Sequence, residues 1–284
     1  MSRNLITRIL VAAVAIPIIL WISYEGGWWL LGLLGLLALA AISEYLVNEG
    51  ISPRQVFFWV ALVCTLLLLA VIADTSGSLL PTFLTTMNGS TLAIGIIILF
   101  FTLTAMLSAI GRQSPAQLFE RHSRLVWGVL YVGLLYPIVY LIGNGIGEAS
   151  GGDCLLFLFG LLWVGDTTAM AVGSWLGRRR LAPTVSPNKT VEGFVGGVAG
   201  AVAVGVLIYF WKLENLGLLN VMILAVGCSV LGQLGDLVES MWKRSLGIKD
   251  SSPLVPGHGG VLDRFDSLLF AAPFMYVFLY FTQR

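Results

Sequence analysis

The chain has 284 residues, 57% of them hydrophobic and only 11% charged, with a mean hydropathy of +0.91. That balance excludes a water-soluble globule and a disordered chain, and points to an integral membrane protein. The formal net charge of +1, from 16 Lys and Arg against 15 Asp and Glu, excludes a nucleic-acid binder driven by overall basicity.

In chain order, apolar runs near the roughly 20 residues that cross a bilayer core occupy 9–24, 28–47, 56–73, 91–111, 125–146, 154–176, 193–211, 218–242 and 264–281. The expected fold is all-α: a polytopic membrane protein of about nine transmembrane helices, treated as one domain over 1–284. The first run, with Arg3 and Arg8 before it and Pro17 within it, reads as a retained helix. No small-residue cleavage pattern follows it, and Glu25-Gly26-Gly27 leads straight into the next span.

Positive residues concentrate on the cytoplasmic side of membrane proteins. With the N-terminus inside and the C-terminus outside, the cytoplasmic segments hold Arg3, Arg8, Arg54, Arg112, Arg121, Arg124, Arg178, Arg179, Arg180, Lys189, Lys243, Arg244, Lys249 and Arg264. Only Lys212 and Arg284 then fall outside. The segment from Arg112 to Arg124 opens with Ser114-Pro115, a helix cap and first-turn proline, and predicts a short interfacial helix. Small residues recur at Gly165, Ala169, Gly173 and Gly177, and again at Gly193, Gly196, Gly197 and Gly200, a spacing that lets helix backbones approach in lipid. Cys64, Cys154 and Cys228 lie singly and read as packing residues.

The two halves differ in chemistry. Residues 1–150 are mainly apolar helices, whereas 151–284 add polar features that could carry an active site. Asp166 falls inside a span, where an ionisable group is expensive; a functional role and a plain internal hydrogen bond are equally open. In the loop 178–192, Ser186, Lys189 and Thr190 precede Glu192-Gly193 at a helix start, which favours anion binding over simple capping. Further on, Asp236, Glu239 and Lys243 share a helix face, as do Asp263 and Asp266, and the intervening loop returns the chain to the same membrane level. Facing carboxylates suit a hard cation such as Mg²⁺, which takes one or two carboxylates plus substrate phosphates. Carboxylates, cations and glycines concentrated at one membrane face point to phosphoryl or nucleotidyl transfer.

At these residues the sequence resembles a known family. Ser240-Met241-Trp242-Lys243-Arg244, Lys249-Asp250 and His258-Gly259-Gly260-Val261-Leu262-Asp263-Arg264-Phe265-Asp266 look like the signature of the phosphatidate cytidylyltransferases, or CDP-diacylglycerol synthases. Asp166-Thr167, Leu181-Ala182-Pro183, Ser186-Pro187, Lys189-Thr190 and Glu192-Gly193 match as well, while Asn188 stands where many members have Lys. The resemblance implies the reaction of CTP with phosphatidic acid to CDP-diacylglycerol and pyrophosphate. It further implies a homodimer of nine-helix subunits with a polar cavity open to the cytoplasm, and the short chain and short loops suit a bacterial cytoplasmic membrane, although composition leaves an organelle open.

It also implies a Mg²⁺ centre, with K⁺ nearby, on Asp236 and Asp263. Lys243, Arg244, Lys249 and Arg264 would then bind phosphate oxygens, with Ser186, Lys189 and Thr190 as a second anion site. Ser240, His258, Gly259 and Gly260 fall in the substrate-binding stretch. Glu239, Asp250 and Asp266 would orient the cations or metal waters, with Asp166 and Glu192 in less defined roles. Two alternatives are a related enzyme, either a cytidylyltransferase for isoprenoid lipids or a CTP-dependent lipid alcohol kinase, and a transporter built around Asp166.

Overall fold

A computed structural model describes residues 3–74, 89–110, 113–147, 149–255, 257 and 259–283. Among them, ten α-helices and one two-stranded hairpin account for most of the chain. Eight helical runs are long and apolar enough to cross a membrane, and Val11–Glu25 is a shorter apolar stretch within the first helix. Contacts divide the chain into two compact units, Met1–Leu30 with Leu141–Arg284, and Leu31–Tyr140.

The unit 31–140 is built from most of α2 (Gly27–Asn48), α3 (Val56–Ala73), α4 (Gly89–Ala109), α5 (Pro115–Gly128) and the start of α6 (Leu135–Gly143). In α2, the buried residues Ala38, Ala41, Ile42, Tyr45 and Leu46 recur at helical spacing and form one packed stripe. The Tyr45 hydroxyl donates to the Arg124 carbonyl of α5 at 3.1 Å. Its ring lies where a Cβ on Gly128 would stand, so only glycine lets the two helices meet there.

The short helix expected near 112–124 forms as α5, continuous with the helix that follows it. Ser114 does cap α5, in a reciprocal pair with Gln117. The helix then runs on through a π turn at Val129–Gly133 into α6, giving one helical run over Pro115–Gly143. Nothing between Glu120 and Trp127 interrupts a helix, and Arg124 pairs with Glu120 one turn away at 2.5 Å. Charge marks where the chain leaves lipid, but charge alone does not stop a helix.

The other unit contains α1 (Arg3–Glu25), α7 (Gly151–Leu176), the hairpin β1 (Arg180–Ala182) and β2 (Ser186–Thr190), α8 (Val191–Ile208), α9 (Leu218–Ser245) and α10 (Leu262–Thr282). Its core centres on Phe157, Leu158, Leu161, Leu224, Ala225, Cys228, Leu269 and Met275. The two small-residue stripes pack on each other along α7 and α8. A Cβ on Gly200 would strike the Thr168 side chain, and one on Gly197 would press against Ala169 and Gln233. Glycine is required there for the close approach rather than for its backbone freedom.

The hairpin is an addition to the all-helical expectation. Arg180 pairs with Thr190 and Ala182 with Ser186, with Pro183 in the turn closed by Val185 N–H donating to the Ala182 carbonyl at 3.2 Å. Where the sequence suggested a loop, short strands satisfy their backbone groups against each other. At the other end of the site, α9 stops in a Schellman arrangement. Gly247, at φ +70°, donates to the Arg244 carbonyl at 3.1 Å, and Ile248 donates to the Lys243 carbonyl at 3.0 Å.

Candidate active site

Four elements of the second unit converge on one charged cluster: β2, the C-terminal third of α9, the first turns of α10, and the middle of α7. From β2, Lys189 reaches Asp236 of α9, Nζ to Oδ2 at 2.6 Å. The other Asp236 oxygen accepts from the Ser240 hydroxyl at 3.2 Å, one helical turn on. Asp166 of α7 is accessible to solvent yet lies within electrostatic reach of Asp236 and Lys189. Its charged neighbours come from other elements of the fold, α9 and β2.

A second knot lies one turn further along α9. The Lys243 ammonium sits between Glu239, at 2.5 Å, and Asp263 of α10, at 2.8 Å, with all three side chains largely buried. Asp263 Oδ2 accepts from the backbone N–H groups of Ser251, at 2.9 Å, and Gly260, at 2.8 Å, and from the Ser251 hydroxyl at 3.1 Å. Gly259, at φ +85°, brings the loop close enough for this; a Cβ there would collide with Asp263 Oδ2. Asp266 is buried, accepts from the Ser267 N–H at 2.8 Å, and interacts electrostatically with Asp236, Asp166 and Lys243.

Asp166, Asp236, Glu239, Asp263 and Asp266, with Lys189 and Lys243, therefore form a connected set of charges spread over three helices and a strand. Such a concentration of carboxylates in an apolar chain is held only by paired cations or bound ones. Among the described residues no three His, Cys, Asp or Glu side chains converge tightly enough to hold an ion by themselves. The donor set nonetheless fits a hard cation that completes its coordination with water and phosphate oxygens. Two lysine ammoniums already lie against Asp236 and Asp263, marking places where positive charge is favoured. Glu239 Oε1, buried beside Asp263, lacks a hydrogen-bond donor among the described residues.

A sequence model of the cytidylyltransferase family matches residues 6–282. The chain belongs to that family. It is 34% identical over 275 residues to a protein named phosphatidate cytidylyltransferase from Staphylococcus haemolyticus, covering 96% of this chain and 98% of the relative. A protein of the same name from Staphylococcus aureus is 32% identical over 272 residues, with the same coverage. One from Staphylococcus saprophyticus is 41% identical over 151 residues, 53% of this chain and 56% of that protein.

Family membership spans both units, but the charged cluster belongs to one of them, and the candidate residues fall into three groups within it. Asp166, Lys189, Asp236, Glu239, Ser240, Lys243, Gly260, Asp263 and Asp266 come together as described. Others hold the frame. Thr190 caps α8, its hydroxyl accepting from the Gly193 N–H at 3.0 Å. Glu192 accepts from the backbone N–H groups of Arg178, at 3.0 Å, and Arg179, at 3.2 Å, tying the hairpin base to α8. Arg244 donates to the Val185 carbonyl of the hairpin turn at 3.4 Å and to the Ile248 carbonyl at 2.9 Å. Ser186 contributes through its strand register with Ala182.

The third group is open. Lys249, Asp250 and Arg264 are exposed and form no ion pair among the described residues. His258 lies outside the described residues. Ser251 was not singled out from the sequence, although it supplies two of the donors to Asp263. Its only sequence signal is adjacency to Lys249-Asp250 in a polar loop.

Proposed function

We propose that this protein catalyses transfer of the cytidylyl group from CTP to phosphatidate, giving CDP-diacylglycerol and pyrophosphate. The observation that carries the reading is the near-full-length similarity to proteins named phosphatidate cytidylyltransferase. The carboxylate and lysine cluster supports it, because it supplies what two anionic substrates need: a place for a divalent cation and separate positive charges for phosphate oxygens. The proposal includes a multi-pass bacterial cell-membrane protein of nine spans, N-terminus inside and C-terminus outside. It also includes one catalytic domain over the whole chain, a polar cavity open to the cytoplasm and a homodimer.

In this reading an oxygen of the phosphatidate headgroup forms a bond to the α-phosphorus of CTP. The bond from that phosphorus to the bridging oxygen breaks, and pyrophosphate leaves with the electron pair. Asp236 and Asp263 would hold Mg²⁺, with K⁺ as a second cation; the metal supplies charge neutralisation between the two substrates and on the leaving group. Lys189 pairs with Asp236 and Lys243 with Asp263, and each can turn its ammonium to a phosphate oxygen as a cation enters. Arg264 and Lys249, free of protein partners among the described residues, bind the outer phosphates. Asp166, Glu239 and Asp266 hold the lysines in place by charge.

The test is transfer of α-labelled CTP into chloroform-extractable lipid by purified protein, with phosphatidic acid and Mg²⁺, comparing wild type with Asp263→Asn. Wild type labels lipid, and the variant, present and folded in the membrane, loses turnover by about 10²–10³-fold. Near-normal labelling in the variant removes Asp263 from the metal assignment. Label entering only an isoprenoid lipid points to a different acceptor, and label entering from γ-labelled CTP points to a lipid kinase. Substrate-dependent ion flux without CTP consumption points to a transporter.

A further inference from the structure

The two oxygens of Asp263 are held in different ways. Oδ2 accepts three neutral donors from the loop between α9 and α10: the Ser251 N–H at 2.9 Å, the Ser251 hydroxyl at 3.1 Å and the Gly260 N–H at 2.8 Å. Oδ1 instead faces a cation, the Lys243 ammonium at 2.8 Å. A carboxylate oxygen has about two lone-pair sites, so Oδ2 is fully engaged. The partner on Oδ1 is carried by a flexible stem and can move away.

The path of the loop delivers those donors. The chain leaves α9 at Ser245 and reverses at Gly247, which brings Ser251 beside the first turn of α10. Further on, the Val255 N–H donates to the Gly259 carbonyl at 2.8 Å, and the Gly260 N–H follows directly. Oδ2 thus gathers donors from 12 and 3 positions upstream and ties the loop to the helix. Ser251 is 4% exposed and the Asp263 side chain 3%, so solvent is a poor substitute for a donor lost there.

This asymmetry bears on the metal. A carboxylate that exchanges a lysine for Mg²⁺ must present its oxygen in a fixed direction, because the ion demands near-octahedral geometry. Hydrogen bonds to the other oxygen set that direction, and losing one typically costs about 10–100-fold in metal affinity.

We propose that Ser251 is a positioning residue for the reaction: its N–H and hydroxyl hold Asp263 by Oδ2 and leave Oδ1 as the oxygen that passes from Lys243 to a divalent cation. The inference rests on the cytidylyl-transfer reading with Asp263 as a metal ligand, and adds which oxygen binds and what aims it. Ser251 acts through Asp263 and not on substrate. Its neighbour Ser252 is engaged elsewhere, its hydroxyl accepting from the Leu254 N–H at 3.1 Å within the loop.

The test follows two signals in the full-length protein: Mn²⁺ affinity, read by electron paramagnetic resonance without CTP, and the Mg²⁺ dependence of label transfer from α-labelled CTP. Ser251→Ala weakens Mn²⁺ binding and raises the Mg²⁺ concentration for half-maximal transfer, each about tenfold. The KM for phosphatidate and the rate at saturating Mg²⁺ stay within twofold of wild type. Ser251→Thr, which keeps the hydroxyl, restores both signals, and Ser252→Ala, which breaks a bond inside the same loop, moves neither. Unchanged metal dependence in Ser251→Ala overturns the inference. An equal shift in Ser252→Ala also overturns it, by making the effect one of loop stability. Should Ser251→Ala fail to fold, Ser251→Cys, with its weaker donor, decides the question by the same shift or its absence. Mn²⁺ bound by wild type and lost in Asp263→Asn, with no label reaching lipid, overturns the reaction reading alone, and the Mn²⁺ signal still decides on Ser251. Label transfer by a wild type that binds no Mn²⁺ overturns the metal assignment and this inference with it.

Discussion

The two units each have a buried apolar core but treat their charges differently. In 31–140 the ion pairs among the described residues both use Arg124 of α5, shared between Glu49 and Glu120, with its side chain 40% exposed. In the other unit lysines bridge carboxylates carried by different elements, Lys189 to Asp236 and Lys243 to both Glu239 and Asp263, the latter three largely buried. Pairs of the first kind are worth little and can be lost cheaply. Pairs of the second kind are costly to form and are poor choices for stability alone. Keeping several of them together makes sense where bound anions and a cation are part of the cycle.

That contrast can be broken at several points. The largest effect is expected at the bridge between the hairpin and α9. Lys189→Ala frees Asp236 and removes a candidate phosphate donor, and label transfer should drop by about 10–100-fold, the worth of one charged hydrogen bond. Turnover within twofold of wild type would make Lys189 a bystander.

Next comes the packing that holds the site helices together. Gly200→Leu drives a side chain into Thr168 across the α7–α8 contact. Overpacking of this kind costs roughly 1–3 kcal/mol, read as a lower melting temperature of the detergent-solubilised protein. An unchanged melting temperature would mean that α7 and α8 can separate freely.

Thr190→Ala tests the cap beneath the hairpin. Loss of the hydroxyl acceptor for the Gly193 N–H should destabilise α8 by about 1 kcal/mol. A Thr190→Ser variant, which keeps the oxygen, should recover most of that; if it does not, the threonine acts through its methyl group or through substrate.

The smallest effect is expected in the other unit. Glu120→Ala removes an exposed pair one helical turn from Arg124, worth about 0.3–0.5 kcal/mol. Label transfer should stay at the wild-type level, and a pronounced loss would dissolve the distinction between the two units.

Much of the candidate site was legible because its residues cluster in sequence. Asp236, Glu239, Ser240 and Lys243 fall within eight positions of one helix, so helical spacing alone aligns them. Two members were harder to place. Asp166 is isolated among apolar residues, and its polar neighbours come from α9 and β2, some seventy and twenty positions away. Ser251 carries no distinguishing signal, since its role comes from the turn that brings its N–H to Asp263. Thr190 and Glu192 were legible as polar residues at a helix start, but the choice between ligand and scaffold depended on which donors lay nearby.

The sequence by itself determined the solvent this chain folds in, the approximate places where it crosses it, and the family to which it belongs. Each depends on local composition or on short patterns whose physical meaning does not require a partner: a run of about 20 apolar residues needs only a bilayer. Tertiary structure decided which charge meets which. It joined Lys189 to Asp236 across 47 positions and Lys243 to Asp263 across 20. It also ran the supposed interfacial helix into the following span and folded a presumed loop into a hairpin. Those outcomes turn on hydrogen bonds and ion pairs between distant segments, whose energies exist only once packing has brought the groups within a few ångströms and taken them out of water.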